Sequence, residues 1–218
     1  MKAIRSDFFQ RPALFLALMV IAITAQAQYV LYDNGTMQVG DNAWAITGPL
    51  SVSNSFTLSG SAAIQVINVG LTAQENLTIG GLAWTFGTTK FGGELRGATV
   101  ASPSLVLLAT EGGYNYYMST IVIDNPVHIP DAGTYWLTLS DAYLTDDPDN
   151  EVYWVQSNGT SVAWQVEGSD APEQLPASQS FAIIGVPEPT TAILFLGGMA
   201  AFAFQRQRRK RETSVQNF

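Results

Sequence analysis

What most limits this chain is the stretch between residues 28 and 189, where short runs rich in Val, Ile, Thr, Tyr, Phe and Trp are each cut off by Gly, Asn, Asp or Pro. No apolar stripe with a 3.6-residue period runs there for a useful length, so helices have no face to bury. Strands need only a period of two. Runs near 29–32, 52–58, 62–69, 79–86, 104–109, 115–123, 133–140, 151–157, 160–167 and 179–184 predict an all-β domain, a β-sandwich or jelly-roll-like fold, over residues 28–185. The chain has no cysteine, so burial rather than cross-linking must hold that domain together. A body of ~160 residues removes roughly two-thirds of its unfolded surface from water, which is enough for one core.

Two segments predict which side chains face that core. In "GTYWLTLS", alternation puts Tyr135, Leu137 and Leu139 on one face and Trp136, Thr138 and Ser140 on the other. In "EVYWVQSNGTSVAWQV", Asn158-Gly159 between two β-rich arms is the signature of a two-residue type I′ hairpin, since both residues tolerate positive φ. Such a hairpin opposes Ser157 to Thr160, Val155 to Val162, Trp154 to Ala163 and Tyr153 to Trp164. Tyr153, Val155, Val162 and Trp164 would then be core, with Trp154, Gln156, Ser161, Ala163 and Gln165 outside. Trp136 and Trp154 emerge as the two outward tryptophans.

The ends are of another character. Lys2, Arg5 and Arg11 precede an apolar run from Ala13 to Ile23, and Ala25-Gln26-Ala27 supplies the small residues that signal peptidase reads. Residues 1–27 are therefore predicted to be a signal peptide, helical in its apolar part and cleaved before Gln28. At the other end, Thr190–Phe204 would span ~22 Å as a helix against a hydrocarbon core of ~30 Å. It is expected to be a short transmembrane helix, extended by snorkelling arginines. Arg206, Arg208, Arg209, Lys210 and Arg211 would orient its end toward the cytoplasm and leave the domain outside. Pro187 and Pro189 are expected to keep the preceding backbone extended, with Glu188 accessible between them.

Val186-Pro187-Glu188-Pro189, an apolar helix containing Gly197-Gly198 and a terminal basic block together resemble the PEP-CTERM sorting signal of exported bacterial proteins. The resemblance covers residues 186–211, with Glu212–Phe218 a longer polar tail than usual. It implies a transient membrane anchor, recognition by exosortase, a membrane-embedded cysteine protease, and a destination at the cell surface or outside the cell. The body segments "LYDNG", "VSNSFTLSG", "IGGLAWTFGTTKFGG", "AGTYWLTLSDA" and "VYWVQSNGTSVAWQ" are in turn similar to an ectodomain type that recurs among such proteins. That likeness implies a β-sandwich in a surface or matrix setting, and it brings no catalytic residues.

Charge narrows the partners. Between residues 28 and 189 only Lys90 and Arg96 stand against sixteen Asp and Glu, a net charge near −14. Such a field disfavours nucleic acid and anionic lipid. The extracellular polysaccharide expected as a neighbour is what the resemblance to PEP-CTERM proteins implies.

Catalytic chemistry finds little support. The one histidine, His128 in "VHIP", lacks the companions that a nucleophile triad or a zinc site requires. Glu94, Glu111 and Glu151 offer carboxylates for glycoside hydrolysis, yet no pattern pairs them. The protein is expected not to be an enzyme and to need no cofactor. Asp147, Asp149 and Glu151 in "DDPDNE" form a weak Ca²⁺ candidate, since the glycine and distant glutamate of an EF-hand loop are missing. Asn34-Gly35-Thr36 and Asn158-Gly159-Thr160 match a glycosylation pattern but read better as turns. Sugar rings stack on exposed tryptophan, which makes Trp136 and Trp154 the candidate glycan contacts.

Overall fold

The computed structural model describes residues 28–40 and 42–186. The predicted signal helix, the sorting motif beyond Val186 and the basic cluster lie outside the described residues.

Among the described residues, thirteen strands make two antiparallel sheets, as the alternation requires. They are β1 Tyr29–Asp33, β2 Ala43–Ala45, β3 Leu50–Leu58, β4 Ala62–Gln74, β5 Ile79–Gly87, β6 Arg96–Ala101, β7 Ser104–Glu111, β8 Tyr114–Ile129, β9 Gly133–Leu144, β10 Val152–Val155, β11 Ala163–Glu167, β12 Glu173–Gln174 and β13 Phe181–Val186. In the first sheet β4 is the spine. One of its sides pairs with β13 and, further along, with β10; the other pairs with β8. The outer positions go to β1 beside β13, β2 beside β10 and β7 beside β8. The second sheet runs β12-β11-β3-β9-β5-β6.

Strand β4 shows how the core is kept in phase over thirteen residues. Ile64, Ile67, Val69, Leu71 and Ala73 are all buried, although Ile64 and Ile67 differ by an odd number. A bulge between Ile64 and Val66 absorbs the extra residue and returns the apolar set to the inner face. Between the sheets, Phe56 of β3 is the hub of an aromatic cluster, with ring centroids 5.6 Å from Phe86, 5.9 Å from Tyr32, 6.0 Å from Tyr135 and 6.2 Å from Phe181. Such pairs add ~0.5–1.5 kcal/mol each beyond the burial itself. Tyr135, Leu137 and Leu139 face inward, as their alternation predicts.

The predicted hairpin does not form. Strand β10 pairs with β4 and β2 in the first sheet, whereas β11 pairs with β3 and β12 in the second, so the segment around Asn158-Gly159 carries the chain from one sheet to the other. Neither residue has the positive φ that a type I′ turn demands. Both are instead committed to another turn. The Asn158 amide donates to the carbonyl of Thr36, and its side-chain oxygen accepts from the Thr36 amide at 2.8 Å. Gly35 is the residue with φ +85° at this contact. A Cβ on Gly159 would meet the Asn34 carbonyl at 2.1 Å, so only glycine allows the close approach.

The face assignment drawn from that hairpin fails with it. Trp154 has 0 % exposure and Ala163 is buried, while Val162 is 41 % exposed and Tyr153 and Trp164 are half-buried. Val155 is buried as expected.

Candidate functional site

Trp136 and Trp154 do not form a surface. Trp154 sits between the sheets, its ring 5.7 Å from that of Phe181 and its indole N–H donating to the Ser180 carbonyl at 2.9 Å. Trp136 does lie on the outer face of the second sheet, but half-buried and on β9, a different sheet from β10. Much of that outer face is closed by residues 88–95. The Phe91 amide donates to Ser53 Oγ at 3.1 Å, Thr85 Oγ1 donates to the Gly92 carbonyl at 3.0 Å, and Lys90 Nζ stands 3.1 Å above the Trp164 ring. Ser53 and Thr138, polar residues on a nominally outer face, are buried in consequence and bonded to each other at 2.9 Å.

Glu94 organises this covering loop. Its carboxylate accepts from the Thr88 amide at 3.1 Å and from Thr89 Oγ1 at 3.2 Å. Backbone hydrogen bonds to the charged form hold the Glu94 carboxyl below its ordinary value.

Asp147 and Asp146 serve turns. Asp147 uses one oxygen for the Asp149 amide at 3.1 Å and the other for Asn150 Nδ2 at 2.7 Å, while Asp146 accepts from the Thr78 amide at 3.1 Å. Glu151 lies near the Tyr153 phenol, which is pushed well above its ordinary value by burial and then by that neighbour. The Asp147 carboxylate is thus engaged in its own turn and Glu151 lies beside Tyr153, and no group of three metal-binding side chains gathers among the described residues. His128 is exposed on β8 opposite Ala63. Glu94 in its loop, Glu111 at the end of β7 and Glu151 before β10 belong to three different segments. Of the processing residues, Gln28 is exposed with its side chain 3.4 Å from that of Gln65, and Val186 ends β13 opposite Ala63. Ala25, Ala27, Pro187, Glu188 and Pro189 lie outside the described residues.

A site that the sequence did not announce opens where the two sheets part. Among the described residues strand β6 hydrogen-bonds only to β5, and β7 leaves β8 after the Ser104–Thr120 pair. Beyond Thr120, β8 has a free edge facing β6, and a cavity of about 390 Å³ lies between them. Trp84, only 2 % exposed, contributes to its wall, and Val100 and Val122, 74 % and 69 % exposed, also line it. Arg96 enters from the start of β6. Its guanidinium carbon is 6.0 Å from the Trp84 ring centre and its Nε donates to Thr99 Oγ1 at 3.3 Å, while Thr99 Oγ1 donates to the Gly97 carbonyl at 3.1 Å. Asp124 and Asn125 line the cavity from β8. These polar groups are spread over some thirty residues of sequence with no shared motif, and β6 itself, "RGATVA", lacks the β-rich alternation that marks the longer strands. The unusual composition was the available signal, because Arg96 is the one arginine between residues 28 and 189.

Neither the models of known protein families nor the curated proteins give a match to this chain.

Proposed function

We propose that this is an exported, non-enzymatic protein of the cell surface or extracellular matrix, sorted through a PEP-CTERM-type tail and associated with extracellular polysaccharide. Signal peptidase would release it at Gln28, and exosortase would act near Val186-Pro187-Glu188-Pro189 while the helix and its basic cluster hold it in the membrane. One observation carries this reading: the compact folded unit spans Gln28–Val186, the interval between the two processing sites inferred from residue patterns alone. Its first strand begins at Tyr29 and its last ends at Val186, so neither cut would remove a strand from either sheet. A sorting tail has to follow a domain that is already complete, and this boundary meets that requirement.

The test is the intact mass and terminal peptides of the mature protein from its native host, taken in envelope and medium fractions. A species beginning at Gln28 and ending near Glu188 is the expected result. A membrane-bound species retaining Thr190–Phe218 would make the tail an ordinary anchor and reject exosortase processing.

A further inference from the structure

From the cleft between β6 and β8, we infer a binding site for a sugar acid, a hydroxyl-rich ring carrying a single carboxylate such as a hexuronate. The inference concerns the folded domain and holds whether or not the tail is processed.

Arg96 supplies the first argument. Among the described residues no carboxylate lies within 4.0 Å of its guanidinium, although the body carries sixteen acids between residues 28 and 189. Its Nε is held by Thr99 and its guanidinium carbon lies 6.0 Å from the Trp84 ring centre, while the remaining N–H donors have no carboxylate partner among the described residues. A guanidinium fork is geometrically matched to a carboxylate, which it grips through two parallel hydrogen bonds. Partial burial strengthens that attraction relative to open water.

The remaining lining argues for a sugar rather than a simple anion. Thr99, Ser102, Asp124 and Asn125 offer both donors and acceptors, and hydroxyl groups need both. Asp124 would repel a bare anion such as phosphate, but its carboxylate, more than 4.0 Å from the guanidinium, can accept from a sugar hydroxyl. The volume of about 390 Å³ falls within the range of small-molecule sites, ~300–1,000 Å³. Charge sets the length of the ligand. The strongly acidic body opposes long polyanions, whereas a ligand with one carboxylate meets Arg96 at contact distance and feels the rest through a screening length of ~8 Å.

Titration calorimetry of the Gln28–Val186 unit as processed protein, or of the full chain in detergent, would use galacturonic acid and an aldobiouronic disaccharide, with galactose as the neutral comparator. Saturable binding of the acids is expected, at least tenfold tighter than of galactose. Arg96→Gln should weaken it at least tenfold, and Arg96→Lys should weaken it less. Val122→Glu places a negative charge at an exposed position beside the cleft and should weaken acid binding even if the Arg96 variants fail to fold. Absence of saturable binding to either acid, equal binding of galactose, or undiminished binding in folded Arg96→Gln and Val122→Glu would each overturn the inference. Failure of the sorting proposal would leave these measurements unaffected.

Discussion

Along the flank where β3 and β11 meet β10 and β13, side chains stitch one sheet to the other. Asn54 of β3 accepts from the Gln179 amide, just before β13, at 2.8 Å, and Gln165 Nε2 of β11 donates to the Ala45 carbonyl of β2 at 3.0 Å. Along the flank where β6 passes into β7, the side-chain hydrogen bonds stay within one sheet: Arg96 to Thr99, Thr120 to Asn68, Thr110 to Asn115. Val100, Val106, Leu107, Leu108 and Val122 remain exposed there. The comparison teaches where a sandwich without disulfides can leave an opening. The buried polar groups paired across the stitched flank hold it closed, although Gln156 Nε2 and Gln179 Oε1 are buried there without partners. The apolar flank has no such ties among the described residues, and the cleft lies on that side.

The contrast can be broken most severely at Trp154, which belongs to the closed flank. Trp154→Ala should lower unfolding free energy by ~3–5 kcal/mol in a denaturant titration, through the cavity left between the sheets. Trp136→Ala, on the half-buried outer face, should lose less than half as much. A smaller break is Asn54→Ala, which leaves the Gln179 amide without its acceptor and should forfeit ~1–3 kcal/mol by the same measurement. Lys90→Ala removes the cation above Trp164, a loss of ~0.5–1 kcal/mol, with an altered Trp164 emission as its local signature.

Acid should loosen the covering loop through Glu94. Because the folded carboxyl lies below its ordinary value of 4.5, the stabilisation is complete above that value and is lost as pH falls through the lower folded one. Amide chemical shifts of Thr88 and Phe91 followed from pH 7 to pH 3 should report this transition, and Glu94→Gln should abolish it. The smallest effect is expected on the open flank itself. Leu107→Lys should change stability by no more than ~0.5 kcal/mol while reducing self-association in light scattering, since a charge on an exposed edge strand opposes intermolecular pairing.

How legible the molecule was follows the range of the forces involved. Alternation in "GTYWLTLS" reported its faces correctly because a strand's pleat is a local property and β9 is flanked by strands on both sides. Alternation in β4 would have slipped at the bulge, where one extra residue exchanges the faces. Asn158-Gly159 misled because its turn preference competes with a contact 122 residues away in sequence, the Thr36 amide, which no local rule registers. Trp154 was misplaced as a direct result. The cleft was illegible for a different reason: it is bounded by an edge where pairing stops, and sequence patterns report pairing more readily than its end. Only Arg96, isolated in an acidic chain, hinted at it.

Strand β1 lies beside β13, with Tyr29 opposite Gly185 and Val30 opposite Ile184. The two ends of the folded unit are therefore neighbours, so its connectivity can be cut and rejoined without stretching the backbone. A short glycine-rich bridge from Val186 to Gln28, with new ends opened in the exposed Gly112-Gly113 turn between β7 and β8, gives a permuted gene whose product should adopt the same two sheets. In that product β1 and β13 would become the two arms of a hairpin, and the open flank, rather than the stitched one, would carry the chain ends.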